Sequence, residues 1–246
     1  METCLIYTFK EGLHHLPNTV SNDNIINLYR ESIKNNSKFH KHSKIYTTEN
    51  YVSVFNDIID DIVTVGNNVE TFFQDDLKFH VLKNETPPFT LVDGDLLLNN
   101  KLIITNEDVL YETILTDNDI DWFTKSRDYF TRYNIQSKFK YWKYFNYTYN
   151  LGILHINNNS FVNDFLSEYS KLRNWYKNTI HSTIPHLKKN NIVEIITCTY
   201  FLSMYLETHN YSINVLDKTN SFNHLRGIDL KIDFLKKIGK YKNELI

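Results

Sequence analysis

The stretch Phe89-Thr90-Leu91-Val92-Asp93-Gly94-Asp95-Leu96-Leu97 follows Pro87-Pro88 and delivers a short run of β-forming residues onto two carboxylates. On a strand, residues i and i+2 project to one side, so Asp93 and Asp95 offer their carboxylates to one point at the strand's carboxyl end. Two hard oxygen donors with open positions suit Mn²⁺ or Mg²⁺ and also accept phosphate oxygens around the ion. Gly94 between them admits a close backbone approach or a positive φ. The same letters allow a second reading, because Asp-Gly between apolar flanks is also a hairpin signal. Leu96-Leu97-Leu98 does not alternate as a half-exposed hairpin arm would, and this favours a strand that ends in chemistry.

Upstream, strand and helix signals alternate. Cys4–Phe9 reads as a buried strand, and Asn22 or Asp23 caps a helix carrying Ile25, Ile26, Tyr29 and Ile33 at helical spacing. Residues 44–47 read as a strand, 54–61 as a short helix, 62–65 as a strand ended by Gly66, and 69–77 as helix. Downstream come a strand at 101–105, a mostly helical aromatic stretch over 119–143 and a strand at 151–156. Ser160 then caps a helix with Phe161, Phe165, Tyr169, Leu172 and Tyr176 on one face. A helix at 193–206, a strand at 212–216 and a basic helix at 229–245 finish the chain. This alternation predicts an α/β fold, a Rossmann-like nucleotide-binding mixed sheet flanked by helices, with ligands outside the carboxyl ends of the strands.

The chain has 246 residues with a formal net charge of -2, which gives no global attraction to polyanions. Its 16 Phe and 17 Tyr against 6 Gly and 4 Pro exclude a disordered or fibrous chain. Length and the absence of a dividing linker predict a single domain over 1–246, with a nucleotide-binding half at 1–98, a sugar and acceptor half at 99–228 and a C-terminal helix at 229–246. Cys4 and Cys198 stand far apart in apolar runs, so buried thiols in a reducing compartment are expected. The N-terminal residues do not read as a secretory leader and no apolar run approaches a membrane span, so a cytoplasmic protein with no transmembrane segment is expected.

Three segments, taken in order, resemble the motifs of GT-A-fold glycosyltransferases. The first, residues 89–97, is similar to their metal-binding Asp-x-Asp segment. Tyr149-Asn150-Leu151-Gly152-Ile153-Leu154-His155-Ile156-Asn157 resembles the Phe-Asn-x-Gly-Val segment of family 8, the glycogenin-like transferases. His224-Leu225-Arg226-Gly227 followed by Lys231 is similar to that family's His-x-x-Gly-x-x-Lys element, with the lysine one residue late and the following Pro-Trp missing. The resemblance implies a metal held by Asp93, Asp95 and His224, and a UDP-linked nucleotide-sugar donor. It implies a diphosphate met by Gly227 and Lys231, or by Arg226 in place of the displaced lysine, and transfer to a saccharide-type acceptor with retention of configuration. Asn150 and Gly152 would lie beside the transferred sugar, Glu194 near it, and Tyr7 and Thr8 at the nucleotide base.

The residues admit plainer roles as well. Imidazole with two carboxylates biases a site toward Mn²⁺, while a histidine beside an Asn-rich turn is also an ordinary hydrogen-bonding residue. Asn150 suits a turn before a strand, and Glu194 suits a helix N-terminus on electrostatic grounds alone. Over 125–149, six Lys and Arg face the single Asp128 among many aromatic residues. That stretch reads as a solvated helix, an acceptor cleft, or the surface of a non-catalytic protein that binds glycan or single-stranded nucleic acid. A transferase is not expected to bind nucleic acid. The lysine-rich C-terminal helix is compatible with an amphipathic cap or peripheral membrane contact.

Overall fold

The computed structural model describes residues 3–10, 21–66, 76–116, 131, 134, 138–139, 147–181, 192–216, 221–226 and 228–242. In chain order the elements are β1 (Cys4–Phe9), α1 (Asn22–Asn36), β2 (Ser43–Thr48), α2 (Val52–Phe55), β3 (Asp61–Val65), α3 (Asp76–Asn84), β4 (Phe89–Val92) and β5 (Leu96–Leu98). They continue with β6 (Val109–Thr116), β7 (Tyr147–Ile156), α4 (Asn159–Tyr176), α5 (Ile192–Thr208), β8 (Ile213–Val215), β9 (Phe222–His224) and α6 (Ile228–Lys237). Seven strands build a mixed sheet, ordered β3-β2-β1-β4 in one compact unit and β7-β6-β8 in the other, and β5 and β9 form a separate ribbon. The predicted α/β class is the observed one.

The first unit comprises residues 1–69, 88–105 and 216–246. Its sheet strands are parallel, with Leu5, Ile6, Tyr7, Phe9, Ile45, Tyr46, Leu91 and Val92 buried between the layers. The helix cap is Ser21, whose side chain accepts from Asn24 N, rather than Asn22 or Asp23. The Asp-Gly segment is not a hairpin. After β4 the chain turns over Asp93–Asp95, with Leu96 N donating to Asp93 O at 3.2 Å, and β5 then pairs antiparallel with β9. Gly94 does not have a positive φ among the described residues. Glycine is needed there for space, because a Cβ would fall inside the ring of Tyr29, which is itself packed edge-on against Phe9 at 5.0 Å.

β5 is held by α1. Asn36 Nδ2 donates to Leu96 O at 3.0 Å and to Tyr7 Oη at 2.9 Å, and its Oδ1 accepts from Leu98 N at 2.8 Å. Ser32 Oγ adds a bond to Leu96 O at 2.6 Å, and Asn35 Nδ2 one to Leu98 O at 2.6 Å. Residues 101–105 are not a strand as expected. Leu102 is buried with its N–H donating to His40 Nε2 at 3.0 Å, so a side chain takes the place of a ladder partner, and Ile103 points to solvent. Cys4 is half-buried, not buried. The helix expected to run to 245 ends at Lys237, followed by Gly239 in the left-handed region.

The second unit comprises residues 70–87 and 106–215. Its unforeseen strand is β6, antiparallel to β7 and parallel to β8. Its pairing with β7 is irregular: Leu151, Gly152 and Ile153 stand opposite the single Glu112. The expected aromatic face of α4 is buried, with Phe79 of α3 against Phe165 and Tyr169 at 5.1 and 4.4 Å. Its cap is Asn158, which accepts from Ser160 N and Phe161 N. Buried Asp76 accepts from Tyr169 Oη and pairs with Arg173 Nε at 3.2 Å. The helical expectations at 69–75 and over 119–143 fall outside the described residues, apart from isolated positions.

Two outcomes follow from this packing. Gly94→Ala should destabilise the protein by about 1–3 kcal/mol, the usual range for overpacking, measured by denaturant unfolding. The companion substitution Tyr29→Leu should recover part of the loss, since it removes the ring that the new methyl meets. His155, on β7, is 1% exposed and burial lowers its pKa below the ordinary 6.5, against the raising effect of its bond with Asn157 Oδ1. The unfolded chain therefore binds this proton more readily than the native one. Its contribution is complete above about pH 6.5 and is lost as pH falls from there toward the native pKa. The melting temperature should drop across that window, and His155→Gln should flatten the drop.

Candidate metal and diphosphate site

Asp93 and Asp95 lie on the turn after β4, and His224 closes β9, where it pairs with Leu96 of β5. Leu225 N donates to Asp95 O at 3.0 Å, so the ribbon register that sets His224 also sets the backbone of Asp95. One ligand atom from each of the three residues lies within 4.8 Å of the other two. His224 Nε2 is 3.3 Å from Asp95 Oδ1 and 4.0 Å from Asp93 Oδ2. Ligand atoms on an octahedral ion with bonds near 2.1 Å lie about 3 Å apart when adjacent and about 4.2 Å when opposed, and the two separations from His224 Nε2 fall in that range. Two carboxylate oxygens and one imidazole form a donor set that accepts Mn²⁺ more readily than Mg²⁺.

The cluster is polarised by cations. Lys231, in the first turn of α6, places Nζ 2.6 Å from Asp95 Oδ2. Burial alone would push the Asp95 carboxyl up, but the hydrogen bond from His224 and the charge of Lys231 outweigh it and hold the group well below the usual carboxylate range. Arg226 N donates to His224 O at 2.8 Å, and Arg226 Nε approaches His224 Nδ1 at 3.4 Å. That contact has the opposite sense to the outer bond of a metal-binding histidine: Arg226 donates to Nδ1, which leaves the neutral ring's proton on Nε2 facing the carboxylates. Ligation through Nε2 therefore requires the proton to move to Nδ1 and this contact to open. Five of the residues singled out from sequence, Asp93, Asp95, His224, Arg226 and Lys231, therefore share one locality, with Gly94 between the two carboxylates. Gly227 falls outside the described residues.

Tyr7 and Thr8 end β1 in the same unit. Tyr7 is fully buried, its hydroxyl accepts from Asn36, and burial pushes its phenol up; Thr8 is half-buried. Asn150 and Gly152 belong to the second unit. Asn150 Oδ1 accepts from Gly152 N at 3.0 Å, so the two residues shape the irregularity in β7. Glu194 lies in the first turn of α5, and its side chain is not among those described.

The sequence reading passed over Lys78. Its side chain is buried and donates to Leu151 O at 3.1 Å, inside the same irregularity. The signal was present: a lysine set in Leu77-Lys78-Phe79 and followed by Val81-Leu82 interrupts an otherwise apolar helix face. The basic aromatic stretch 125–149 is described at residues 131, 134, 138–139 and 147–149 alone, and the surface it would offer to glycan or nucleic acid falls outside the described residues. Among the described residues no helix is long and apolar enough to cross a membrane.

No protein-family model matches the chain, and no curated protein matches it. Among solved structures, HddC from Yersinia pseudotuberculosis is similar with a TM-score of 0.51 and 10% identity, over 96% of this chain and 99% of that one. Mouse xyloside xylosyltransferase 1 gives a TM-score of 0.49 and 11% identity, over 89% of this chain and 86% of that one. The inositol-1-phosphate CTP transferase from T. maritima gives 0.47 and 11%, over 97% and 96%. At 10% identity the likeness to HddC is one of fold, and that fold is the GT-A-like α/β architecture.

Proposed function

We propose that the chain is a metal-dependent glycosyltransferase that moves a sugar from a UDP-linked nucleotide-diphosphate donor to a hydroxyl of a saccharide-type acceptor, with retention of configuration. The observation that carries this reading is the convergence of Asp93, Asp95 and His224 at the carboxyl end of a parallel strand, with Lys231 and Arg226 beside them. Open α/β sheets bind ligands at that end of their strands.

Asp93, Asp95 and His224 would hold Mn²⁺ or Mg²⁺, which supplies charge neutralisation for the departing diphosphate. Lys231 and Arg226 bring two further cations to the same place, where they offset negative charge as it develops on the diphosphate. Tyr7 and Thr8 are assigned to the base side, and Gly227 to the diphosphate. Asn150, Gly152 and Glu194 are assigned to the sugar, on the motif resemblance. With no covalent step demanded of the chain, positioning and electrostatics carry the rate. The protein is proposed to act in the cytoplasm.

The test is thermal stability of the wild type and Asp95→Ala with UDP and UDP-sugars, with and without Mn²⁺. A ligand that binds the folded state alone stabilises it by about 2.7 kcal/mol at a hundred times its dissociation constant. The expected result is a rise in midpoint for the wild type that needs both nucleotide and metal and that Asp95→Ala abolishes. Stabilisation by nucleotide that ignores metal and survives Asp95→Ala would remove the site from the reading. A shift by single-stranded nucleic acid or glycan alone would transfer the function to a binding surface.

A further inference from the structure

Both oxygens of Asp95 are engaged: Oδ1 faces His224 Nε2 at 3.3 Å, and Oδ2 holds Lys231 Nζ at 2.6 Å. The lysine head is 18% exposed and the carboxylate 15%, so water screens this contact less than a surface pair. Lys231 stands in the first turn of α6, where the helix dipole opposes a cation, so local helix chemistry does not favour a lysine there. Its contact with Asp95 does.

The ammonium on Oδ2 and a metal on Oδ1 would share one carboxylate and repel each other, so the lysine disfavours a free ion there. The formal charges make the competition sharper. Among the described residues, the formal charges of Asp93 and Asp95 are matched by those of Lys231 and Arg226. A divalent ion alone would leave two positive charges in excess. The two negative charges of an esterified diphosphate, arriving with the ion, restore neutrality. The lysine's flexible stem lets its head leave Asp95 and follow the incoming phosphate oxygens without any change in the helix.

We infer that Lys231 is a tethered placeholder cation: it occupies Asp95 until a diphosphate arrives, so that the metal binds as a metal–diphosphate complex and not as a free ion. This inference rests on the metal and diphosphate reading of the site. It deepens that reading by naming the chemical form in which the ligand is taken up.

The experiment titrates Mn²⁺ into the full chain, with and without inorganic pyrophosphate, by calorimetry and by the loss of the free-ion electron paramagnetic resonance signal. The proteins are the wild type, Lys231→Met, Lys231→Gln and Lys231→Arg, with Asp95→Asn defining the site-specific signal. Without pyrophosphate, Lys231→Met and Lys231→Gln should bind Mn²⁺ at least about tenfold more tightly than the wild type, a difference of about 1.4 kcal/mol, and Lys231→Arg should not. Pyrophosphate should tighten Mn²⁺ binding to the wild type by a larger factor than to Lys231→Met. If both neutral variants bind free Mn²⁺ no more tightly than the wild type, while pyrophosphate still drives Mn²⁺ onto the wild type, the placeholder role is wrong and the metal site stands. If the wild type takes up no Mn²⁺ even with pyrophosphate, the metal-site reading fails and the placeholder role falls with it.

Discussion

Asn36 presents both ends of its carboxamide to β5, donating to Leu96 O and accepting from Leu98 N, while the same Nδ2 reaches Tyr7 in β1. A ribbon of two three-residue strands is marginal in water, and among the described residues β5 has a strand partner on one side alone, in β9. The amide supplies the donor and acceptor that a third strand would otherwise offer. Asp95 immediately precedes Leu96, and Leu96 pairs with His224, so the spacing of these two metal-ligand candidates descends from this register. Tyr29, two turns earlier on the same face of α1, fixes the same turn by leaving room for Gly94 and nothing larger. One helix thus sets both the backbone path through Asp93–Asp95 and the strand that follows.

Much of this was readable before any coordinates. The strand at 89–92, the opening strand–helix–strand order and the aromatic face of α4 follow from local periodicity. The helices are legible because each buries one regular face, and the strand at 89–92 because it is buried on both faces and reads as a short, nearly continuous apolar run. The departures have a common cause. β6 was hidden because Glu112 is buried at the point where pairing with β7 goes out of step, which breaks the period-2 pattern a half-buried strand should show. The apolar run at 101–105 looked like a strand, but its one buried N–H is met by the side chain of His40, a partner sixty residues away that no local window contains. The helix caps at Ser21 and Asn158 lay one or two residues before the residues expected, within the normal ambiguity of helix ends.

The candidate site divides along the same line. Asp93 and Asp95 were legible because their spacing is itself the geometry. His224 could be reached through motif order but not through chemistry, since its role depends on β9, a three-residue strand with no periodicity to read. Lys231 was legible as a cation near the diphosphate. Its contact with Asp95 was not, because the contact follows from where α6 begins after β9.

At several points where the described chain leaves its regular ladders, side chains close the backbone. Asn36 completes β5, Asn150 satisfies Gly152 N and Lys78 satisfies Leu151 O in the β7 irregularity, and His40 satisfies Leu102 N. Chains rich in glycine make such departures by changing φ, but with 6 Gly this one makes them with amides, an ammonium and an imidazole. The consequence is rigidity at a particular cost. Asn36, Lys78 and His40 are buried, and cutting any of them back to alanine leaves a backbone donor or acceptor unmet, where an unsatisfied buried polar group costs about 1–3 kcal/mol. Exposed pairs such as Lys171 with Glu168 are screened by water and cost little to remove. The stiffness behind the candidate metal ligands therefore resides in a few buried side-chain-to-backbone bonds, which leaves the charges of Asp95 and Lys231 available to rearrange when a ligand enters.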